Sequence, residues 1–238
     1  MNKKTGSFVM VSNQVKGVSL NLSGKLSKVR VESIREIAGG VYVLEYLRFF
    51  EFEAGQIISI ALAENAEPRM YSIASGEKDV NIQVLFNVVS EGKLTPALSG
   101  LKAGDFIWTS PGFGRFARTT GESWCIAQGT GIAPFASMIR SGLQENMVLI
   151  HGGRNSGSFY YSNEFEPILG NKYIRCCSRE YGTGLFHGRV TDYLNSLPSL
   201  PLESMYYLCG SSEMVVEARD LLIKKGVGYK RIIGEIYF

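Results

Sequence analysis

The sequence predicts two domains in tandem, an antiparallel β-barrel followed by a doubly wound α/β domain on a five-stranded parallel sheet. Three observations lead there. The 238 residues exceed the usual size of one domain, about 100 to 150 residues. Between Lys25 and Pro111 short strands follow one another with Gly-rich turns between them, the rhythm of an antiparallel barrel or sandwich. After Gly121 the rhythm changes to apolar strand, loop and amphipathic helix, repeated, as in a parallel sheet with crossover helices. The expected division is an N-terminal extension over residues 1–24, the barrel over 25–118 and the α/β domain over 119–238.

In the barrel, strands are expected at Lys28 to Ile37, Val41 to Leu47, Gln56 to Ala63, Met70 to Ala74, Val80 to Val89 and Phe106 to Thr109. A short helix interrupts them at Thr95 to Leu101, where Thr95 can cap and Pro96 can take the first helical position. In the second half Trp124 to Ala127 leads into a helix at Pro134 to Ser141, and Met147 to His151 into one at Asn163 to Leu169. Tyr173 to Cys177 then precedes a helix at Val190 to Leu197, Met205 to Cys209 precedes one at Glu213 to Lys225, and Ile232 to Tyr237 is the last strand.

Composition bounds the function. With 45% hydrophobic and 20% charged residues there is enough apolar material for a packed core in each half. A net charge of +3, with no run of five basic residues, argues against nucleic-acid binding. The apolar stretch Phe8 to Val11 is too short for a signal-peptide core, and nothing approaches the roughly 18 to 20 apolar residues of a membrane span, so a cytoplasmic location is expected. Cys125, Cys176, Cys177 and Cys209 lack the close spacings of a zinc or iron–sulfur site. Cys176 and Cys177 would face opposite sides of a strand, which suits reduced, partly buried thiols. His151 and His187 read as structural, and nothing demands more than a monomer.

The segment Gln128-Gly129-Thr130-Gly131-Ile132-Ala133-Pro134-Phe135 follows a strand and opens a helix, so its glycines let the backbone turn tightly and aim N–H groups at an anion. It reads as a phosphate-binding loop, or else as a plain strand-to-helix turn. Pro134 replaces the third glycine of the usual dinucleotide fingerprint, which disfavours an ordinary NAD dehydrogenase. Arg179, in Ser178-Arg179-Glu180, and Arg189, in Gly188-Arg189, stand at and just beyond the third α/β strand. Guanidinium groups match a phosphate dianion, and ligands of open α/β sheets lie beyond the carboxyl ends of the strands, so NADP is favoured over NAD unless these are two solvated surface arginines. In the barrel, Arg69-Met70-Tyr71-Ser72-Ile73-Ala74 would place Arg69 and Tyr71 on one strand face and Met70 and Ser72 on the other. Arg69 can neutralise a pyrophosphate, Tyr71 can stack on an aromatic ring and Ser72 can donate a hydrogen bond. Gly92-Lys93-Leu94-Thr95-Pro96 offers a second helix N-terminus, or simply a capped helix.

Taken together, Arg69-x-Tyr71-Ser72, Gly129-Thr130-Gly131-Ile132-Ala133-Pro134 and Cys209-Gly210 with Met214 resemble, in order and spacing, the ferredoxin–NADP reductase superfamily from about Lys25 to the C-terminus. Gly92 to Pro96, His151 to Arg154, Ser178-Arg179-Glu180 and Gly188-Arg189 look most like the compact bacterial ferredoxin/flavodoxin–NADP reductases. The resemblance implies an FAD-binding barrel, an NADP(H)-binding α/β domain, hydride transfer between the cofactors, and single-electron exchange with ferredoxin or flavodoxin. It implies FAD contacts from Arg69, Met70, Tyr71, Ser72, Phe86, Asn87, Val88, Val89, Lys93, Leu94 and Thr95. Thr130, Tyr237 and Phe238 would also touch FAD. For NADP it implies Gly129, Thr130, Gly131, Arg154, Ser178, Arg179, Arg189, Cys209, Gly210 and Met214, with Ser178, Arg179 and Arg189 recognising the 2′-phosphate. Ser72, Cys209, Glu235 and Phe238 are the candidate catalytic residues, Phe238 as an aromatic lid over the flavin; a bare apolar strand end packed on the core is the other reading of that terminus. Ser110-Pro111-Gly112-Phe113-Gly114 departs from the family's commoner loop. The rival readings are an NAD(P)H:flavin reductase or oxygenase reductase component and, third, a non-catalytic electron-transfer or nucleotide-sensing subunit.

Overall fold

Six strands carry the first half of the chain: β1 (Ser27–Ala38), β2 (Val41–Leu47), β3 (Ile57–Ala61), β4 (Arg69–Ser72), β5 (Asn81–Asn87) and β6 (Phe106–Thr109). The computed structural model describes residues 26–118 and 121–237; the N-terminal extension expected over residues 1–24 lies outside the described residues. All neighbouring strands of this sheet are antiparallel, in the order β4-β3-β6-β1-β2-β5. The edges approach where Ile73 bridges Val84 and Ala74 N–H donates to Gln83 O at 2.8 Å, which curls the sheet into a partly closed barrel. Inside, Leu44, Tyr46, Ile58, Ile60, Ile82 and Ile107 are buried. The Tyr46 hydroxyl finds Thr109 Oγ1 at 3.2 Å, so its only polar atom is satisfied in the core.

Helix α1 (Leu94–Ser99) begins one residue before the expected cap, with Lys93 at the N-cap position and no side-chain cap. This corrects the capping role assigned to Thr95. Its hydroxyl instead accepts from Val89 N–H at 2.9 Å, holding the loop between β5 and α1. Residues 133–142, which contain α2 (Ala133–Arg140), belong to the same compact unit as residues 26–117. There Phe135 lies 5.8 Å from Phe116, and Arg140 Nη1 donates to Ala74 O and Gln83 Oε1, both at 2.8 Å.

The second unit, residues 118–132 and 143–238 of which 119–120 and 238 are not described, contains β7 (Ser123–Gln128), β8 (Met147–Gly153), β9 (Tyr173–Cys177), β10 (Leu185–His187), β11 (Met205–Ser211) and β12 (Ile232–Tyr237). Every pairing is parallel and the order is β10-β9-β8-β7-β11-β12. Its strands are apolar over successive residues, as in Cys125-Ile126-Ala127 and Tyr206-Tyr207-Leu208-Cys209, all buried, which is the signature of a sheet covered on both faces. The helices α3 (Ser162–Leu169), α4 (Val190–Ser196) and α5 (Ser212–Lys224) complete the unit. Helix α5 buries Met214, Val215, Ala218 and Leu222 on one stripe, and Ser211 caps it by accepting from Met214 N–H at 3.3 Å.

The parallel sheet has six strands rather than the expected five. The extra one, β10, is three residues long and pairs Leu185 with Arg175 and His187 with Cys177. It escapes a strand–helix alternation because no helix separates it from β9. All four cysteines are free thiols and wholly buried rather than partly so.

Candidate functional site

The strand order reverses at β7: the chain builds β8, β9 and β10 on one side of it, then β11 and β12 on the other. In open parallel sheets the crevice at such a reversal, beyond the carboxyl ends of the strands, is where ligands bind. Beyond β7 the chain turns through a 3-10 segment at Gly129–Ile132, and alongside it β11 ends on Cys209, Gly210 and Ser211. The turn and the strand end touch. A Cβ on Gly131 would stand 2.2 Å from Cys209 O and 2.8 Å from Gly210 N, so only glycine lets these backbones approach. Ser211 Oγ joins them from the side through Gln128 Oε1 at 2.7 Å, a bond between residues that no local pattern connects.

Next along the sheet edge, backbone hydrogen bonds bring three further segments together. Ser178 N–H donates to Gly153 O at 3.1 Å, Arg179 N–H to Arg154 O at 3.0 Å, and Gly188 N–H to Cys177 O at 2.9 Å. Gly188 has φ +143 and a Cβ there would meet Phe186 at 2.9 Å, so glycine is required at the turn that delivers Arg189. Arg154, Ser178, Arg179 and Arg189 are thereby gathered at the carboxyl ends of β8, β9 and β10, and all four are exposed. Arg154 and Arg179 pair with no carboxylate among the described residues. Arg189 does: its Nη2 lies 2.8 Å from Glu217 Oε2 and 3.5 Å from Glu213 Oε1. Neither glutamate stands out in the sequence; their four-residue spacing on a helix was the one available signal.

Cys209, Gly210 and Met214 lie on the other flank of the crevice, at the end of β11 and in the first turn of α5. Cys209 pairs with Glu235 in the sheet register. Burial pushes the Cys209 thiol well above its usual range, the Glu235 charge adds to this and the Tyr237 side chain partly opposes it. Burial therefore favours the neutral thiol at Cys209. Glu235 is itself 1% exposed. Phe238, the expected lid, lies outside the described residues.

In the barrel unit, Arg69, Met70 and Tyr71 are half-buried, whereas Ser72 and Ile73 are buried where β4 runs into the closure of the barrel. Side-chain alternation is lost at that point because both strand faces become covered. Tyr71 meets Phe86 edge-on at 6.3 Å, and Phe86, buried, is backed by Tyr42 stacked at 5.7 Å. Burial pushes the Tyr71 hydroxyl up to about 12 against the opposing charge of Arg69, so it stays protonated and can donate. Arg69 pairs with its neighbour Glu67 at 2.8 Å. Beside them Asn87, Val89 and Lys93 are exposed and Val88, Leu94 and Thr95 half-buried, with Val89 at 46% exposure. A half-open aromatic ring, a cation and an exposed apolar loop fit a large, flat, anionic ligand.

Among known proteins, residues 125–220 match the family model described as the oxidoreductase NAD-binding domain. The chain is 30% identical over 224 residues to a ferredoxin–NADP reductase of Azotobacter vinelandii, covering 77% of this chain and 83% of that one. It is 26% identical over 204 residues to the xylene/toluene monooxygenase electron transfer component of Pseudomonas putida, covering 79% of this chain and 58% of that one. Among solved structures, a ferredoxin NADP+ reductase from Neisseria gonorrhoeae with bound FAD and NADP superposes with a TM-score of 0.80 at 18% identity, covering 91% of this chain and all of that one.

Proposed function

The chain belongs to the ferredoxin–NADP reductase family of oxidoreductases, and on that premise we propose that it holds FAD on its barrel, takes NADPH in its α/β unit and exchanges electrons singly with a ferredoxin or flavodoxin. The observation that carries the NADP part is the gathering of Arg154, Ser178 and Arg179 by two backbone bonds, Ser178 N–H to Gly153 O and Arg179 N–H to Arg154 O, beside the glycine turn. Two guanidinium groups without carboxylate partners among the described residues, next to a hydroxyl, form a cationic site for a phosphate dianion. The turn at Gly129 to Gly131 supplies backbone N–H groups for the pyrophosphate, and the packed end of β11 at Cys209-Gly210 fixes its position.

On the barrel, Arg69 would meet the FAD phosphates, Tyr71 would stack on the ring system and donate its hydroxyl proton, and Ser72 would reach the N5 region. Phe86, Asn87, Val88, Val89, Lys93, Leu94 and Thr95 would line the remainder. When bound, FAD accepts a hydride from the nicotinamide and releases electrons one at a time. The chain's own residues bind, orient and exclude water; Cys209, held as a neutral thiol, offers an apolar wall rather than a charge. The domain limits are proposed at 25–118 and 119–238, with residues 133–142 of the latter belonging to the compact unit of the barrel.

The similarity to an oxygenase electron transfer component supports a second reading, in which the electrons pass to an oxygenase partner. The test is the absorbance spectrum of the purified protein, then anaerobic titration with NADPH and with NADH. Bound flavin bleached preferentially by NADPH, and reoxidised by flavodoxin or ferredoxin, is the expected result. A colourless protein reducing only added riboflavin would overturn FAD retention, and equal bleaching by both nucleotides would overturn the roles of Arg154, Ser178 and Arg179.

A further inference from the structure

The three arginines at the carboxyl edge of the sheet share a backbone scaffold but not an electrostatic state. Arg154 and Arg179 have no carboxylate partner among the described residues, whereas Arg189 is held by Glu217 at 2.8 Å with Glu213 at 3.5 Å. The main chain at Arg189 is fixed: Gly188 N–H donates to Cys177 O and Arg189 N–H to Asp192 Oδ2 at 2.7 Å. Only the Arg189 side chain is left to choose between partners. On one side are the first turns of α5, carrying both glutamates; on the other are Ser178 and Arg179, reached through the Gly188–Cys177 bond. A dianion that enlists Arg189 must displace a carboxylate already in contact with it, and does so within a Debye length of two negative charges.

We propose that Glu217, assisted by Glu213, is a positioning residue that sets nucleotide preference: it holds Arg189 toward α5 and thereby lowers the selectivity for 2′-phosphorylated nucleotides supplied by Arg154, Ser178 and Arg179. This rests on the nucleotide-site reading above and extends it to residues that touch no nucleotide. The pair is partly solvent-exposed, with the Glu217 side chain at 41% exposure, so its hold on Arg189 is modest. Removing it is worth about a two- to fivefold rise in selectivity.

The experiment measures calorimetric dissociation constants of the FAD-loaded full chain for adenosine 2′,5′-bisphosphate and for adenosine 5′-monophosphate, which differ only by the 2′-phosphate. Neither ligand carries nicotinamide, so turnover is not part of the readout. Glu217→Gln, isosteric and near the surface, should raise the affinity ratio about two- to fivefold at low salt and less at high salt. In an Arg189→Ala background the same substitution should change nothing, an outcome that a merely structural effect on α5 would not give. Arg179→Ala in parallel tests the underlying reading by lowering the ratio. If Arg179→Ala leaves the ratio unchanged, the nucleotide-site reading fails and this proposal with it. If Arg179→Ala lowers the ratio while Glu217→Gln lowers it or leaves it alone, the site stands and the role of Glu217 is overturned.

Discussion

At Gly131 the absent side chain does what no side chain could. Three backbone atoms of Cys209 and Gly210 fill the space a Cβ would need, the nearest at 2.2 Å, so Gly131→Ala forces the turn after β7 away from the end of β11. The expected cost is about 1 to 3 kcal/mol of stability. It should be accompanied by weaker NADPH binding, read by thermal melting and by nucleotide titration of the same variant. Retained affinity at unchanged melting temperature would show that the turn and the strand end are not coupled. The glycines of this loop were legible in the sequence because a tight turn after an apolar strand is a local pattern. The partner they make room for was not, since Cys209 is 78 positions further along the chain.

Strand β8 carries an element-scale consequence. His151 is fully buried in it, its Nδ1 3.0 Å from the Tyr173 hydroxyl on neighbouring β9, with Phe159 edge-on at 5.4 Å. Burial, and then the charge of Arg175, lower its pKa to about 3, with a backbone hydrogen bond at Gly129 opposing. Above about 6.5 the imidazole is neutral in both folded and unfolded chains and has no effect on pH dependence. As pH falls from there toward about 3 the unfolded chain takes up a proton that the folded one refuses, and stability is lost at up to about 1.4 kcal/mol per pH unit. His151→Gln should therefore narrow the difference between urea midpoints at pH 7 and pH 5. Equal pH sensitivity in wild type and variant would remove His151 from the acid response. The structural role expected for this histidine rested on its distance in sequence from His187, which leaves no pair of histidines to form a metal site; its partners Tyr173 and Arg175 emerged only from the parallel register of β8 and β9.

For the whole molecule the consequence is thermodynamic linkage. A nucleotide that binds the folded chain alone must stabilise it, by about 2.7 kcal/mol at a concentration 100 times its dissociation constant. Denaturant titration with adenosine 2′,5′-bisphosphate should show that gain, and adenosine 5′-monophosphate at the same concentration a smaller one; equal gains would remove the 2′-phosphate from recognition. No helix among the described residues is long and apolar enough to cross a membrane.

The order of strands and helices, the change of rhythm near residue 120 and the glycine turns could be read from the chain because each depends on neighbours: side-chain period, turn chemistry and φ are local properties. Ile232–Tyr237 and Tyr173–Cys177 form strands over the spans their patterns mark. Folding decided whatever depends on distance across the molecule. A sixth parallel strand exists because Leu185 to His187 find a free edge at β9, not because three residues favour a strand. Thr95 holds Val89 instead of capping its helix because the loop passes within hydrogen-bond reach. Of three arginines with the same side chain, Arg189 is held by a carboxylate 28 positions away while among the described residues Arg154 and Arg179 meet none, because an ion pair is set by separation in space and position in sequence says nothing about it.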